Sequence, residues 1–194
     1  MTVPHWFESA AQGLAFWIGA QQEIYYYALG ESALRSELCN RIRVGLGSDF
    51  RLRAEESYSQ FLPSNHKYRT LTKRSRVDLV VIERRKKQSG EYVENPKFFV
   101  ELKRSSSSSK EIKKDLCRLA EMLSKKRTAR AFLVITSQKL RPDNWVSEAG
   151  RSRRKKLEIN SDYWGEIRCV KKALAGKPNL DKGHYVCLIE IKRS

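Results

Sequence analysis

Apolar residues follow two different periods along this chain, and the change falls near residue 47. Before it, Phe7, Ala10, Leu14, Trp17 and Ile18 recur at helical spacing within an aromatic stretch, residues 5–29. That spacing predicts a packed N-terminal helix. Trp6, Phe16, Tyr25, Tyr26 and Tyr27 belong to the same stretch. Packing accounts for them; base stacking or a dimer contact is the other use open to the tyrosines. Gly30 interrupts. Leu34, Leu38 and Ile42 then line one face at i, i+4 and i+8, predicting a second helix over residues 32–44 that Gly45 and Gly47 stop.

Beyond that point the period becomes that of strands. Residues 50–54 alternate like a half-buried strand, and residues 62–75 form a basic connection holding Pro63, His66, Lys67, Arg69, Lys73 and Arg74. Residues 77–82 are a β-branched run with one intruding acid, Asp78. A charged hairpin is predicted over 84–96, punctuated by Gly90 and Pro96, and the next strand over 98–103. Five serines, 105–109, make a loop and a helix entry. Residues 110–125 are amphipathic, with Ile112, Leu116, Leu119 and Leu123 as the apolar stripe. The continuous apolar run 131–135 predicts a buried central strand. Residues 141–156 are strongly basic, and 167–170 and 185–191 are the last strand candidates.

The order is helix, strand, strand, strand, helix, strand. It predicts an α/β domain, a mixed sheet flanked by helices. Within one domain of 194 residues we expect an N-terminal helical extension (1–30), a core (31–137) and a basic C-terminal extension (138–194).

Charge narrows the partner. Lys and Arg total 39 against 22 Asp and Glu, a net charge of +17. Such an excess favours a polyanion, most often nucleic acid, through counterion release. Cys39, Cys117, Cys169 and Cys187 are far apart in sequence and in apolar contexts, so no CxxC zinc or redox pair exists. His5, His66 and His184 are isolated. The start lacks a basic leader, and the apolar run 14–20 is too short for a bilayer. We therefore expect a cytoplasmic protein that does not engage a membrane.

Two strand candidates carry charge where burial forbids a lone one. Asp78 sits in Arg76-Val77-Asp78-Leu79-Val80-Val81, and Glu101 and Lys103 sit two apart in Val100-Glu101-Leu102-Lys103. Strand alternation puts Glu101 and Lys103 on one face. A buried carboxylate costs several kcal/mol, on the order of 3 or more, unless paired or bound to metal. If the two strands pair as a hairpin, Asp78 and Glu101 converge, and a hard divalent cation relieves their repulsion. Mg²⁺, with Mn²⁺ as substitute, suits one or two carboxylates and phosphate chemistry. The bland alternative is a surface ion pair at Glu101 and a turn cap at Asp78. The core-like flanks, Leu79 to Ile82 and Phe98 to Val100, weigh against it.

An acid near the start of one strand and Glu-X-Lys at the end of the next resembles the PD-(D/E)XK nuclease superfamily, the restriction-endonuclease-like fold. Here the motif reads Val77-Asp78, then Glu101-Leu102-Lys103, with Val77 where the name has Pro. The resemblance covers roughly residues 31–137 and implies an αβββαβ core. It implies that Asp78, Glu101 and the Leu102 carbonyl hold Mg²⁺, that Lys103 assists the attacking water, and that a helix acid joins them. Glu37 is the best match for that acid, Glu31 the fallback, and Glu55 or Glu56 a further one. The implied function is an Mg²⁺-dependent nuclease, with DNA as the preferred substrate and a 5′-phosphate product. Phosphate contacts are expected at Lys73, Arg74, Arg76, Arg104, Arg151, Arg153, Arg154 and Lys155. A homodimer or a larger nucleoprotein complex is the expected setting. The alternatives are a catalytically silent nucleic-acid-binding or assembly protein, and a subunit that cleaves only within a complex.

Overall fold

The helix stripes expected from the sequence are buried, except that Trp17 of the first is only half-buried. The computed structural model describes residues 2–24, 28–63, 70–72, 74–153, 155–173 and 181–194. Helix α1 (His5–Ile24) buries Phe7, Ala10, Leu14 and Ile18. Helix α2 (Glu31–Gly45) buries Leu34, Leu38 and Ile42. Helix α3 (Ser109–Lys125) buries Ile112, Leu116, Leu119 and Leu123, and the serine run starts it as expected. The Ser108 hydroxyl accepts the Glu111 N–H at 3.2 Å, while the Glu111 carboxylate accepts the Ser108 N–H at 3.0 Å. This reciprocal cap satisfies two of the donors a helix start leaves unpaired. Tyr25, Tyr26 and Tyr27 lie outside the described residues.

The strands are β1 (Phe50–Ser57), β2 (Arg76–Lys86), β3 (Tyr92–Arg104), β4 (Arg130–Ser137), β5 (Leu157–Asn160), β6 (Tyr163–Ala173) and β7 (His184–Arg193). They form one mixed sheet in the order β1-β2-β3-β4-β7-β6-β5. The first three make an antiparallel meander. β4 then lies parallel to β3, with α3 as the crossover, and the rest pair antiparallel. The helix, three strands, helix and strand expected from the sequence are therefore present in that order. The hairpin between β2 and β3 is tighter than predicted. Lys87 N–H donates to the Glu91 carbonyl at 2.7 Å, and Gly90 takes φ 87°.

Residues 138–194 are not an appendage. They supply β5, β6 and β7, which continue the sheet past β4, and β5 was not anticipated at all. Nor is the N-terminal helix peripheral. It packs on β6 and β7, where the Gln12 amide donates to the Lys172 carbonyl at 3.1 Å and Lys171 lies 3.3 Å from Glu8. Helices α1 and α2 cover one face of the sheet, and α3 with the turn Tyr58–Phe61 covers the other. β4 is buried on both faces, so its apolar run needs no alternation. The four cysteines form no disulfide, and burial pushes the Cys187 thiol up to about 12. Among the described residues, no helix is long and apolar enough to cross a membrane.

Candidate active site

The paired strands β2 and β3 separate at one end, and the acids gather at that fork. Their ladder runs from Lys86 opposite Tyr92 to Leu79 opposite Val100. One step further, a side chain stands in for a strand: Asp78 Oδ2 accepts the Leu102 N–H at 2.8 Å. Asp78 Oδ1 accepts from Arg35 of α2 at 2.9 Å, and the same guanidinium lies 2.6 Å from Glu55 of β1. Glu55 sits in the β1–β2 register between the pairs Ala54–Leu79 and Glu56–Val77, across from Asp78. It adopts φ 57°, a left-handed conformation that costs a non-glycine residue about 1–2 kcal/mol. Val77 and Leu79, two apart, enter opposite cores, so the β2 backbone rotates at Asp78.

In β3 the expected alternation holds. Val100 and Leu102 enter the core under α1 and α2, while Phe99 joins the core under α3. Glu101 and Lys103 share the α3 side. Glu101 is only 3% exposed and accepts the Tyr58 hydroxyl at 2.5 Å. Burial holds its carboxyl well above the usual range, and the charges of Asp78 and Asp115 push it the same way; the Tyr58 bond opposes them. Burial, then the Glu101 charge, pushes the Tyr58 phenol up in turn.

Lys103 is held between two acids. Its Nζ lies 3.0 Å from Glu31, at the start of α2, and 3.5 Å from Asp115 of α3. Burial alone would lower the Lys103 ammonium, but the Glu31 bond and the charges of Asp115, Glu31 and Asp78 outweigh it and raise the value. Glu31 also accepts from the Arg104 N–H at 3.5 Å and the Ser107 hydroxyl at 3.3 Å, tying α2 to the loop after β3. The Asp115 side chain is 4% exposed and meets Arg118 at 3.0 Å. Burial raises its carboxyl despite Lys103 and Arg118.

Five carboxyl groups thus meet three cations here, in a chain of net charge +17. A local acid surplus of this kind is what a cation completes. Asp78, Glu101 and the Leu102 carbonyl are the groups here that could hold a hard cation such as Mg²⁺. In a strand, N–H and C=O of one residue point to the same edge. The Leu102 N–H faces Asp78, and the Lys103 carbonyl faces β4, where the Thr136 hydroxyl donates to it at 3.3 Å. The Leu102 carbonyl is therefore directed into the fork. Among the described residues, no group of three or more His, Cys, Asp and Glu side chains is arranged to hold a metal ion. Mg²⁺ asks for less, since it keeps several waters and takes one or two carboxylates.

Asp78, Glu101 and Lys103 are thus brought together with a helix acid, and that acid is Glu31. Glu37 is the correction: it pairs with Arg41 one turn along α2, at 2.7 Å. Arg41 packs against Gly13 of α1, so Glu37 faces the other helix and not the fork. Asp115, Tyr58, Arg35 and Arg118 had not been singled out. Asp115 was legible, because it falls at i+3 from Ile112 and i−4 from Leu119, inside the apolar stripe. Tyr58 and Arg35 offered no such signal, being joined to the acids by tertiary contact alone.

The basic residues are scattered. Lys73 and Arg154 lie outside the described residues. Arg74 and Arg76 are exposed beside the fork, and Arg76 donates to the Glu55 carbonyl at 3.0 Å. Arg104 directly follows Lys103. Arg151, Arg153 and Lys155 are exposed on the segment before β5. Lys155 shares with Ser105, Ser107 and Trp145 a cavity of about 490 Å³ beside the start of α3.

Compared with protein-family models, with curated proteins and with solved structures, the chain matches none.

Proposed function

We propose that the protein is a metal-dependent nuclease that hydrolyses phosphodiester bonds of nucleic acid, with DNA as the preferred substrate. The observation that carries this reading is the fork. Asp78 and Glu101 converge there, with the Leu102 carbonyl on the edge of β3 that faces Asp78 and with Lys103 two residues from Glu101 on the same face. The succession of α2, β1, β2, β3, α3 and β4, with β3 and β4 parallel, supports a restriction-endonuclease-like core.

Asp78, Glu101 and the Leu102 carbonyl would hold Mg²⁺. When bound, the ion supplies a water of lowered pKa and offsets charge on the phosphate oxygens. The remaining work falls to the chain. Lys103 stays protonated, since its ammonium is raised, and so presents a fixed positive charge to a phosphate undergoing attack. Glu31 and Asp115 set where that charge stands. Arg35 and the Leu102 N–H hold the Asp78 carboxylate from two sides, so its orientation is set before a substrate arrives. The Tyr58 hydroxyl does the same for Glu101 and favours its ionised form.

Plasmid DNA incubated with Mg²⁺ or Mn²⁺, and in parallel with EDTA, tests the reading. Nicking or linearisation with metal is expected, and Asp78→Ala and Glu101→Ala should each lower it by at least about 100-fold. Full metal-dependent cleavage by both variants sinks the assignment. So does tight binding by the native protein with no cleavage of linear, circular, single-stranded or branched substrates.

A further inference from the structure

Arg104 turns to the opposite side of β3 from Lys103. There it lines a crevice of about 270 Å³ with Ser105, Ser106, Ser137, Gln138 and Lys139. The crevice lies beyond the carboxyl ends of β3 and β4, the parallel neighbours of the sheet. In open α/β sheets ligands settle outside the carboxyl ends of strands.

The lining is one-sided in chemistry. Two cations, several hydroxyls and an amide line it, and none of the described lining residues is acidic. Arg104 makes no side-chain ion pair among the described residues, and its Nε is buried with no hydrogen-bond partner. Arg35 and Arg118, at the fork, are both matched to acids. The hydroxyls of Ser105 and Ser106 are likewise unbonded among the described residues. One wall is set firmly: the Gln138 side chain accepts the Leu29 N–H at 2.7 Å and donates to the Leu29 carbonyl at 2.9 Å. A preformed crevice with an unmatched guanidinium and hydroxyl donors suits an oxyanion, and guanidinium geometry suits phosphate.

We propose that this crevice is a phosphate subsite, in which Arg104, Lys139 and the hydroxyls of Ser105 and Ser106 hold a phosphate of a nucleic-acid strand. Its scissile neighbour faces Glu101 and Lys103 on the other side of β3. That placing of the scissile bond rests on the nuclease reading; the phosphate site does not.

The test measures binding in EDTA, where no cleavage intrudes. Fluorescence anisotropy of short labelled DNA, single- and double-stranded, with 5′-phosphate or 5′-hydroxyl ends, is followed across a salt series. Inorganic phosphate serves as competitor. Arg104→Ala should weaken binding about tenfold at low salt and make the dependence of log K on log salt shallower by about 1. Lys139→Ala should act in the same direction. Arg104→Lys should keep the slope, and Arg127→Ala, beyond the end of α3, should share the small uniform loss of any surface cation. Circular dichroism shows whether each variant is folded. Loss confined to 5′-phosphorylated strands places a terminal phosphate in the crevice, and equal loss on both places an internal one. Binding by Arg104→Ala at native strength and native salt slope overturns the subsite, as does a native protein that binds no nucleic acid. Cleavage is scored separately. A metal-inert native protein with Arg104-dependent binding removes the nuclease reading and keeps the subsite; active enzyme with an unchanged slope does the reverse.

Discussion

Asp78 gives Leu102 the hydrogen bond that a paired strand would have given. Its Oδ2 accepts the Leu102 N–H at 2.8 Å where the β2–β3 ladder has ended. The carboxylate therefore has a structural task besides any chemical one. Asp78→Ala leaves the Leu102 N–H and the Arg35 guanidinium without that acceptor and should destabilise the fold by about 1–3 kcal/mol. Asp78→Asn keeps an acceptor for the N–H and should lose less. Urea titration compares the two. Equal stability of Ala and native proteins would contradict the assigned bond.

The helix acid is decided by a pair of variants. Glu31→Gln removes the charge that holds Lys103, and cleavage should fall about tenfold or more. Glu37→Gln should leave the rate within about twofold and remove an i,i+4 ion pair of about 0.3–0.5 kcal/mol. Initial rates with Mg²⁺ on the same plasmid check both. The reverse ranking would restore Glu37.

Glu101 makes stability depend on pH in a direction that is easily mistaken. Burial and the charges of Asp78 and Asp115 hold its folded-state carboxyl well above the usual carboxylate range. Between the two values the folded state binds more protons than the unfolded one, so stability falls as pH rises through that window. Glu101→Gln removes the slope. In EDTA at neutral pH it should raise Tm by 2–4 °C, about 1 kcal/mol for a chain of this size. Calorimetry of both proteins over a pH series that rises from the ordinary carboxylate range measures it. Parallel curves would remove Glu101 as the source.

Tyr58→Phe acts on the same group from the other side. The phenol bond favours ionised Glu101, against burial and the nearby acids. Without it, ionisation requires a higher pH. The acid limb of the pH–rate profile should move to higher pH, with the rate recovering under alkaline conditions. An unshifted limb with a uniformly lower rate would point to packing alone.

Much of the frame was legible in the chain. Leu34, Leu38 and Ile42, or Ile112, Leu116, Leu119 and Leu123, announce buried helix faces because 3.6-residue spacing leaves no other way to cover them. The β-branched flanks of Asp78 and Glu101 marked strands, and period-2 alternation placed Glu101 beside Lys103. Those are local statements, and they hold in the folded molecule. The C-terminal strands were harder. The run 167–170 announced less than half of β6, and β5, four residues long, fell between the basic stretch and that run with no element assigned to it. Whether β7 would join β4 is a pairing between residues 48 to 58 positions apart.

The choice between Glu31 and Glu37 belongs to the tertiary structure for a related reason. Both lie on α2, six residues apart and on different faces, and only the docking of α2 against β3 decides which meets Lys103. Tyr58 reaches Glu101 across 43 residues, and the Arg104 guanidinium meets no acid among the described residues, which only the docking of the elements decides. The sequence by itself determined the three helices, the strands of the core and the faces they bury, and that three charged residues sit on two core strands. Burial and the long-range contacts then decided which acids share a site, how their protons are held and where unpaired positive charge remains, because those depend on distances no local period encodes.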